Sequence, residues 1–119
     1  MVAEYLNNQY GVNGELVWAM AGRSQSKLEQ VRDEMGISAD LPLVVADSSN
    51  LDSIKAMVER TAVVCTTVGP YQLYGNELVA TCAAAGTDYV DLCGEPGWMH
   101  KMIGAHSAAA EASGARIVF

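Results

Sequence analysis

The residues best suited to bind a ligand follow an apolar run at residues 16–21: they are Gly22, Arg23 and Ser24. A continuous apolar run bounded by turn residues predicts a strand that is buried on both faces. In nucleotide-binding α/β sheets the adenosine ribose is read at the end of the second strand, where an acidic residue favours a free 2′-hydroxyl. A guanidinium and a hydroxyl here suit a 2′-phosphate instead, so the sequence predicts an NADP-type site. The alternative is that Arg23 is an exposed arginine beside a helix start.

A second candidate lies at the end of the next predicted strand, residues 41–47, where Asp47 is followed by Ser48. Their polar side chains could meet the edge of an adenine ring. Either of them could equally cap the helix that follows, which requires no ligand. Both interpretations stay open on the residues alone.

A third candidate ends the predicted strand at residues 62–68 and consists of Thr67, Val68, Gly69, Pro70 and Tyr71. Ligands of open α/β sheets bind outside the carboxyl ends of the strands. Gly69 would let the backbone approach a pyrophosphate or ribose, and Pro70 would fix the turn. The alternative is an ordinary β-to-α connection that uses Pro and Gly for its geometry.

The segment Cys93-Gly94-Glu95 ends the predicted strand at residues 88–92. Gly94 is included in the predicted cofactor site. Glu95 could face a nicotinamide or substrate, or it could favour the positive end of the following helix. Cys93 is expected to pack rather than act as a nucleophile, because no nearby histidine would activate it. No catalytic residue is assigned.

The histidines and cysteines do not suggest a metal site. His100 and His106 are six residues apart on one predicted helix, about 600° of rotation, which puts them on different faces. The three cysteines, Cys65, Cys82 and Cys93, are odd in number and lack the C-x-x-C spacing. They are expected to be reduced thiols of a cytoplasmic protein.

These candidates require elements that alternate strictly along the chain. Periodicity predicts helices near residues 1–10, 26–35, 51–58, 78–85 and 96–113, and strands at 16–21, 41–47, 62–68, 88–92 and 115–119. The second helix is expected to begin with a capping box of Ser26 and Glu29. This order predicts one α/β domain over residues 1–119, with a parallel sheet and helices on both faces.

The bulk composition supports this class. Half of the residues are hydrophobic, which is ample for a core, and the formal net charge of −7 disfavours a nucleic-acid partner. No window approaches the roughly 18 apolar residues of a membrane span.

Three motifs together resemble the saccharopine dehydrogenase-like oxidoreductases, and within them the bacterial branch called trans-acting enoyl reductases. They are residues 18–24 followed by Lys27-Leu28, residues 66–71 with Tyr74-Gly75, and residues 88–96. The resemblance implies a Rossmann-like domain that binds NADP(H) for hydride transfer. The substrate it implies is an enoyl lipid precursor or an imine-type amino-acid adduct.

The family pattern also opens with a strand and a Gly-x-x-Gly-x-x-Gly loop before the first helix, and it continues into a substrate-binding portion. Neither is found in these 119 residues. The chain is therefore expected to be the cofactor-binding portion of an oxidoreductase, inactive alone and at best a weak binder of NADPH. The rival hypothesis is a non-catalytic Rossmann-like fragment that acts in assembly or nucleotide sensing.

The same comparison predicts an open sheet edge. In the strand order 3-2-1-4-5-6 the first strand is central, so the strands at 16–21 and 62–68 would each lose a neighbour. Buried unpaired backbone groups cost about 1–3 kcal/mol each. Either these strands pair directly, or another chain fills the edge, or the N-terminal segment rearranges. We expect a homo-oligomer formed through this edge.

Overall fold

The structure is a computed structural model that describes residues 1–119. It divides into two compact units, Met1–Ala46 and Asp47–Phe119, which are described in turn. No helix has the length and apolar character required to span a membrane.

The first unit contains a two-stranded parallel sheet with helices. Its elements are α1 (Val2–Tyr10), β1 (Met20–Gly22), α2 (Gln25–Glu34) and β2 (Leu43–Val45). In the ladder Met20 aligns with Leu43 and Gly22 with Val45. The Ala46 N–H donates to the Gly22 carbonyl at 2.9 Å, which holds the carboxyl ends of both strands together.

The predicted strand at residues 16–21 is wrong in its extent and burial. Only Met20–Gly22 are in β1, and Val17 is 91% exposed. The ladder cannot extend backwards, because the Met20 N–H already bonds to the Pro42 carbonyl and Pro42 has no N–H to offer. The Trp18 indole instead donates to the Gly11 carbonyl at 2.8 Å.

The predicted capping box of α2 is also wrong. Ser24, in extended conformation, is the N-cap and its hydroxyl accepts from the Lys27 N–H at 3.3 Å. Ser26 already lies inside the first turn. Glu29 accepts from the side chain of Gln25 at 3.0 Å rather than reaching back to a cap.

The second unit contains a three-stranded parallel sheet in the order β3-β4-β5. Its elements are α3 (Leu51–Val58), β3 (Val63–Thr66), α4 (Tyr71–Tyr74), α5 (Asn76–Ala85), β4 (Asp88–Asp91), α6 (Pro96–Ser113) and β5 (Ile117–Val118). Val63 aligns with Asp88, and Tyr89 with Ile117. The α/β alternation is confirmed, although the short helix α4 was not predicted.

The core of the second unit lies between its sheet and its helices. Helix α5 packs against both α3 and α6. Val58, Val79, Cys82 and Tyr89 are fully buried, and burial raises the pKa of the Cys82 thiol to about 12. The Thr87 hydroxyl donates to the Val58 carbonyl at 3.0 Å and joins α3 to the start of β4.

The sheet of the second unit has one face with exposed side chains. The ladders align Cys65 with Val90 and Val90 with Val118. Cys65 is exposed and Val118 is 57% exposed. Helix α5 contacts β4, and parallel strands flanked by helices confirm the predicted Rossmann-like α/β fold class.

The outer strand β5 is held by one carboxylate. Asp88 accepts from the Arg116 N–H at 2.8 Å and from Nε of the same residue at 2.9 Å. The Arg116 guanidinium lowers the pKa of Asp88. Within the first unit β1 pairs only with β2, and within the second unit β3 pairs only with β4.

Candidate cofactor site

In the first unit the predicted 2′-phosphate residues lie at the carboxyl end of β1. Gly22 is its last residue, and a Cβ there would approach Leu28 Cδ2 to 3.1 Å, so this glycine allows α2 to pack closely. Arg23 is exposed and makes no hydrogen bond or ion pair. Ser24 is half-buried, and its hydroxyl contacts that of Ser26 at 3.2 Å besides capping α2. An unpaired guanidinium thus stands beside a helix N-terminus, a combination that favours an anion.

In the second unit Asp47 and Ser48 precede α3, but neither is its N-cap. That position belongs to Asn50, whose side chain accepts from the Ser53 N–H at 3.2 Å. The alternative that Asp47 or Ser48 caps this helix is therefore wrong, because Asn50 occupies the cap position. The Asp47 carboxylate accepts from the Ser49 N–H at 2.9 Å and its hydroxyl at 2.7 Å, which closes a tight turn.

The residues after β3 form an exposed loop. Thr67, Val68, Gly69 and Pro70 are all exposed, and the Val68 N–H donates to the Thr66 hydroxyl at 3.2 Å as the strand ends. The Gly69–Pro70 peptide bond is cis. A Cβ on Gly69 would meet the Tyr71 ring at an ordinary 3.5 Å, so packing within the chain does not require a glycine there.

Tyr71 is 5% exposed and its side chain packs inside the unit. Its hydroxyl donates to the Thr66 carbonyl at 3.3 Å, and its ring centroid lies 5.6 Å from that of Trp98. Burial raises the pKa of this phenol. Of the five residues predicted after β3, only residues 67–70 are therefore exposed to a ligand. Tyr71 is buried and supports their loop through its bond to Thr66.

The residues after β4 form a second loop. Gly94 is exposed, and a Cβ placed on it would meet nothing within 4 Å. At the end of β4 the Asp91 carboxylate accepts from the Tyr89 hydroxyl at 2.6 Å and from the Cys93 N–H at 2.9 Å. Sequence reasoning missed Asp91, although its i+2 spacing from Tyr89 at a strand end was a usable signal.

Glu95 links these two loops. Its carboxylate accepts from the Tyr71 N–H at 2.7 Å and from the Gln72 N–H at 3.2 Å. It makes no side-chain capping bond to α6, the helix that it precedes. The loops after β3 and β4 therefore lie side by side at the carboxyl edge of the parallel sheet, which is where such sheets bind ligands.

Side chains that could bind a metal ion are not clustered in the chain. No group of three or more His, Cys, Asp or Glu side chains is arranged to hold a metal ion.

Comparison with known proteins shows the family to which the chain belongs. The family model of the saccharopine dehydrogenase NADP binding domain matches residues 1–118. The trans-acting enoyl reductase of Mycobacterium leprae (strain TN) is 50% identical over 101 residues, which are 84% of this chain and 24% of that protein. The protein of the same name from Mycobacterium ulcerans (strain Agy99) gives the same figures.

A Mycobacterium tuberculosis (strain ATCC 25618 / H37Rv) protein that is provisionally named a trans-acting enoyl reductase is 47% identical over 119 residues. This match covers 99% of the chain and 28% of that protein. The chain thus spans about a quarter of the length of these relatives. No solved structure matches it. The chain belongs to the family of saccharopine dehydrogenase NADP-binding domains, as its resemblance and its Rossmann-like α/β architecture predicted, and its dinucleotide partner is NADP.

Proposed function

We propose that this chain binds NADP(H) through Arg23 and Ser24 on the 2′-phosphate, as the cofactor-binding part of an NADP-dependent oxidoreductase. The observation that carries the proposal is the exposed Arg23 guanidinium, which has no partner in the chain and follows a parallel strand directly. A guanidinium can make two parallel bonds to a phosphate. The Ser24 hydroxyl remains able to donate while it accepts from Lys27.

Gly22 supports this site through packing, since it lets α2 approach β1 closely. Asp47 and Ser48, which follow β2 in the chain, are proposed to meet the adenine edge. Their support is polar character beyond a strand end and the fact that neither side chain serves as the N-cap of α3.

For the second unit, taken by itself, we propose that the residues after β3 and β4 contact a dinucleotide. The backbone of Thr67, Val68, Gly69 and Pro70 is exposed, and so is Gly94. Neither Gly69 nor Gly94 has a positive φ, and neither has a neighbour in the chain that would exclude a Cβ. A ligand that approaches the backbone closely would explain why both positions are glycine. Tyr71 contributes by supporting the loop.

Bound NADPH supplies a hydride, and the names of the relatives favour reduction of an enoyl double bond by the whole protein. We propose this reaction class for a protein that contains the present domain. The chain alone is expected to be inactive, because no acid/base pair accompanies the proposed cofactor loops. The family match over residues 1–118 supports one cofactor-binding domain at residues 1–119, and the three free cysteines support a cytoplasmic location.

Titration of the chain with NADPH and NADH tests the proposed function. Tryptophan fluorescence can follow binding, since Trp18 is half-buried in the first unit and Trp98 is buried in the second. We expect weak binding with a preference for NADPH. Equal affinity for both cofactors, or no binding of either, would contradict the proposed role of the chain.

Replacement of Gly94 by alanine should separate cofactor binding from folding. The new Cβ meets nothing within 4 Å in the chain, so the melting temperature should stay unchanged. A methyl group in the path of a closely bound dinucleotide costs about 1–3 kcal/mol, roughly tenfold to a hundredfold in NADPH affinity. Gly104→Ala, inside α6 and equally open, is the matched control and should leave NADPH affinity unchanged. Unchanged affinity in Gly94→Ala would remove Gly94 from the site.

We also propose that the isolated chain self-associates through a sheet edge. Strand β3 pairs only with β4, and Val63 on it is 49% exposed. An open edge of this kind is a template for pairing with another chain. Light scattering at tens of micromolar should show a dimer or larger species that Val63→Lys weakens. Strand β5 at the other edge has only two residues, against four in β3, and offers a shorter edge for pairing. Val118→Lys on β5 should therefore leave association unchanged, and a strictly monomeric wild-type chain would contradict the proposal.

A further inference from the structure

The carboxylate of Glu95 bridges two loops that are far apart in the sequence. Its two oxygens accept separately, one from Tyr71 N–H at 2.7 Å and the other from Gln72 N–H at 3.2 Å, across 24 and 23 residues. Charge-assisted bonds to backbone amides are about twice as strong as neutral ones. The loop after β4 therefore holds the loop after β3 by a fixed two-point contact.

The amides that Glu95 binds are the first two of helix α4. The first amides of any helix lack partners inside the helix and need acceptors from elsewhere. The local cap position cannot supply one, because it is occupied by Pro70, which makes no side-chain capping bond. Glu95 takes this role from a distance. The same two amides are consequently already satisfied and are not available to a phosphate.

The exposed loop is anchored at its other end by the strand that precedes it. Val68 N–H donates to the Thr66 hydroxyl, and the Tyr71 hydroxyl donates to the Thr66 carbonyl. Gly69 and Pro70 thus lie between two anchors, one from β3 and one from Glu95. A loop held in this way presents its backbone to a ligand without first losing conformational entropy.

We propose that Glu95 is the positioning residue of this cofactor loop, acting on the dinucleotide through Tyr71 and Gln72 rather than by contact with the nicotinamide or substrate. The proposal rests on the proposed function of the exposed loop. This role differs from both roles that the sequence suggested for Glu95, which were contact with the nicotinamide or substrate and stabilisation of the start of α6. The carboxylate instead caps α4 and makes no capping bond to α6. A carboxylate is required for both bonds, since a side-chain amide offers only one acceptor oxygen.

The test compares Glu95→Ala and Glu95→Gln with wild type in the whole chain. Hydrogen exchange measured by NMR reports the Tyr71 and Gln72 amides, and calorimetry reports NADPH affinity without relying on the nearby Trp98. In Glu95→Ala we expect both amides to exchange at least about tenfold faster and NADPH to bind about tenfold more weakly. Glu95→Gln should retain one bond and give intermediate values. Glu111→Gln, an exposed carboxylate on α6, is the control and should change neither.

Each alternative result identifies what is wrong. Unchanged exchange of both amides in Glu95→Ala would overturn the two-point contact itself. Faster exchange with unchanged NADPH affinity would overturn its role for the cofactor. Equal NADPH loss in Glu95→Gln and Glu95→Ala, with the Gln72 and Tyr71 amides still protected in Glu95→Gln, would indicate direct contact with the cofactor and overturn the positioning role. Failure of the wild-type chain to bind NADPH would contradict the proposed function, whereas the exchange rates would still decide the contact.

Discussion

Replacement of Arg23 by alanine is expected to weaken NADPH binding by about tenfold to a hundredfold and to leave NADH binding unchanged. A charge-assisted hydrogen bond to phosphate contributes about 1.5–3 kcal/mol, which corresponds to this range. The effect should be confined to NADPH because NADH lacks the 2′-phosphate. Arg23 makes no hydrogen bond or ion pair within the chain, so its removal should leave the fold intact.

The ratio of the two cofactor affinities is the decisive measurement, obtained by fluorescence titration of wild type and variant at one salt concentration. Arg60→Ala is the matched control, since Arg60 is also exposed and its side chain has no partner. This control removes the same charge from a surface outside the proposed site. A parallel loss of NADPH and NADH affinity in Arg23→Ala would indicate a general change of the domain. No loss of either would remove Arg23 from the site.

Replacement of Tyr89 by alanine is expected to lower the free energy of unfolding by about 3–5 kcal/mol, the usual cost of deleting a buried aromatic side chain. Tyr89 is fully buried on the central strand β4, and its ring contacts that of Phe119 edge-on at a centroid distance of 5.9 Å. Its hydroxyl also donates to Asp91 at 2.6 Å. The change therefore leaves a cavity and deprives the loop after β4 of a support.

Urea unfolding followed by circular dichroism measures this effect. Tyr89→Phe removes only the hydroxyl and should cost about 1–2 kcal/mol, because the Asp91 carboxylate keeps its bond from Cys93 N–H. Tyr74→Ala, at a tyrosine that is 45% exposed, should change stability by no more than about 0.5 kcal/mol. A loss below about 1 kcal/mol in Tyr89→Ala would show that β4 is not the centre of the unit's core.

The predictions for Arg23 and Tyr89 concern different units and different properties, ligand affinity in the first case and folding stability in the second. Arg23 acts on the ligand through charge and leaves folding alone, whereas Tyr89 acts on folding through packing. Loss of NADPH affinity in Tyr89→Phe, with the fold retained, would connect the Tyr89–Asp91 bond to the shape of the loop that carries Gly94.

The sequence by itself determined the features that depend on neighbours within a few residues. Helical periodicity located α1, α3 and α6, and the glycines at 86 and 114 end their helices in the left-handed conformation that only glycine adopts readily. Alternation of helices with apolar segments was enough to predict parallel pairing, because parallel strands need long crossovers. The three motifs at strand ends were enough to predict the family and its cofactor.

Only the tertiary structure decided where each strand stops and which side chain supports which loop. The run at residues 16–21 is apolar throughout, yet the ladder is limited to Met20–Gly22 because Pro42, which directly precedes the neighbouring strand β2, cannot donate. The capping of α4 by Glu95 joins residues 24 positions apart, and no local pattern encodes such a distance. Periodicity reports the preferences of a segment, whereas hydrogen-bond partners across the sheet are chosen by the whole chain once it has folded.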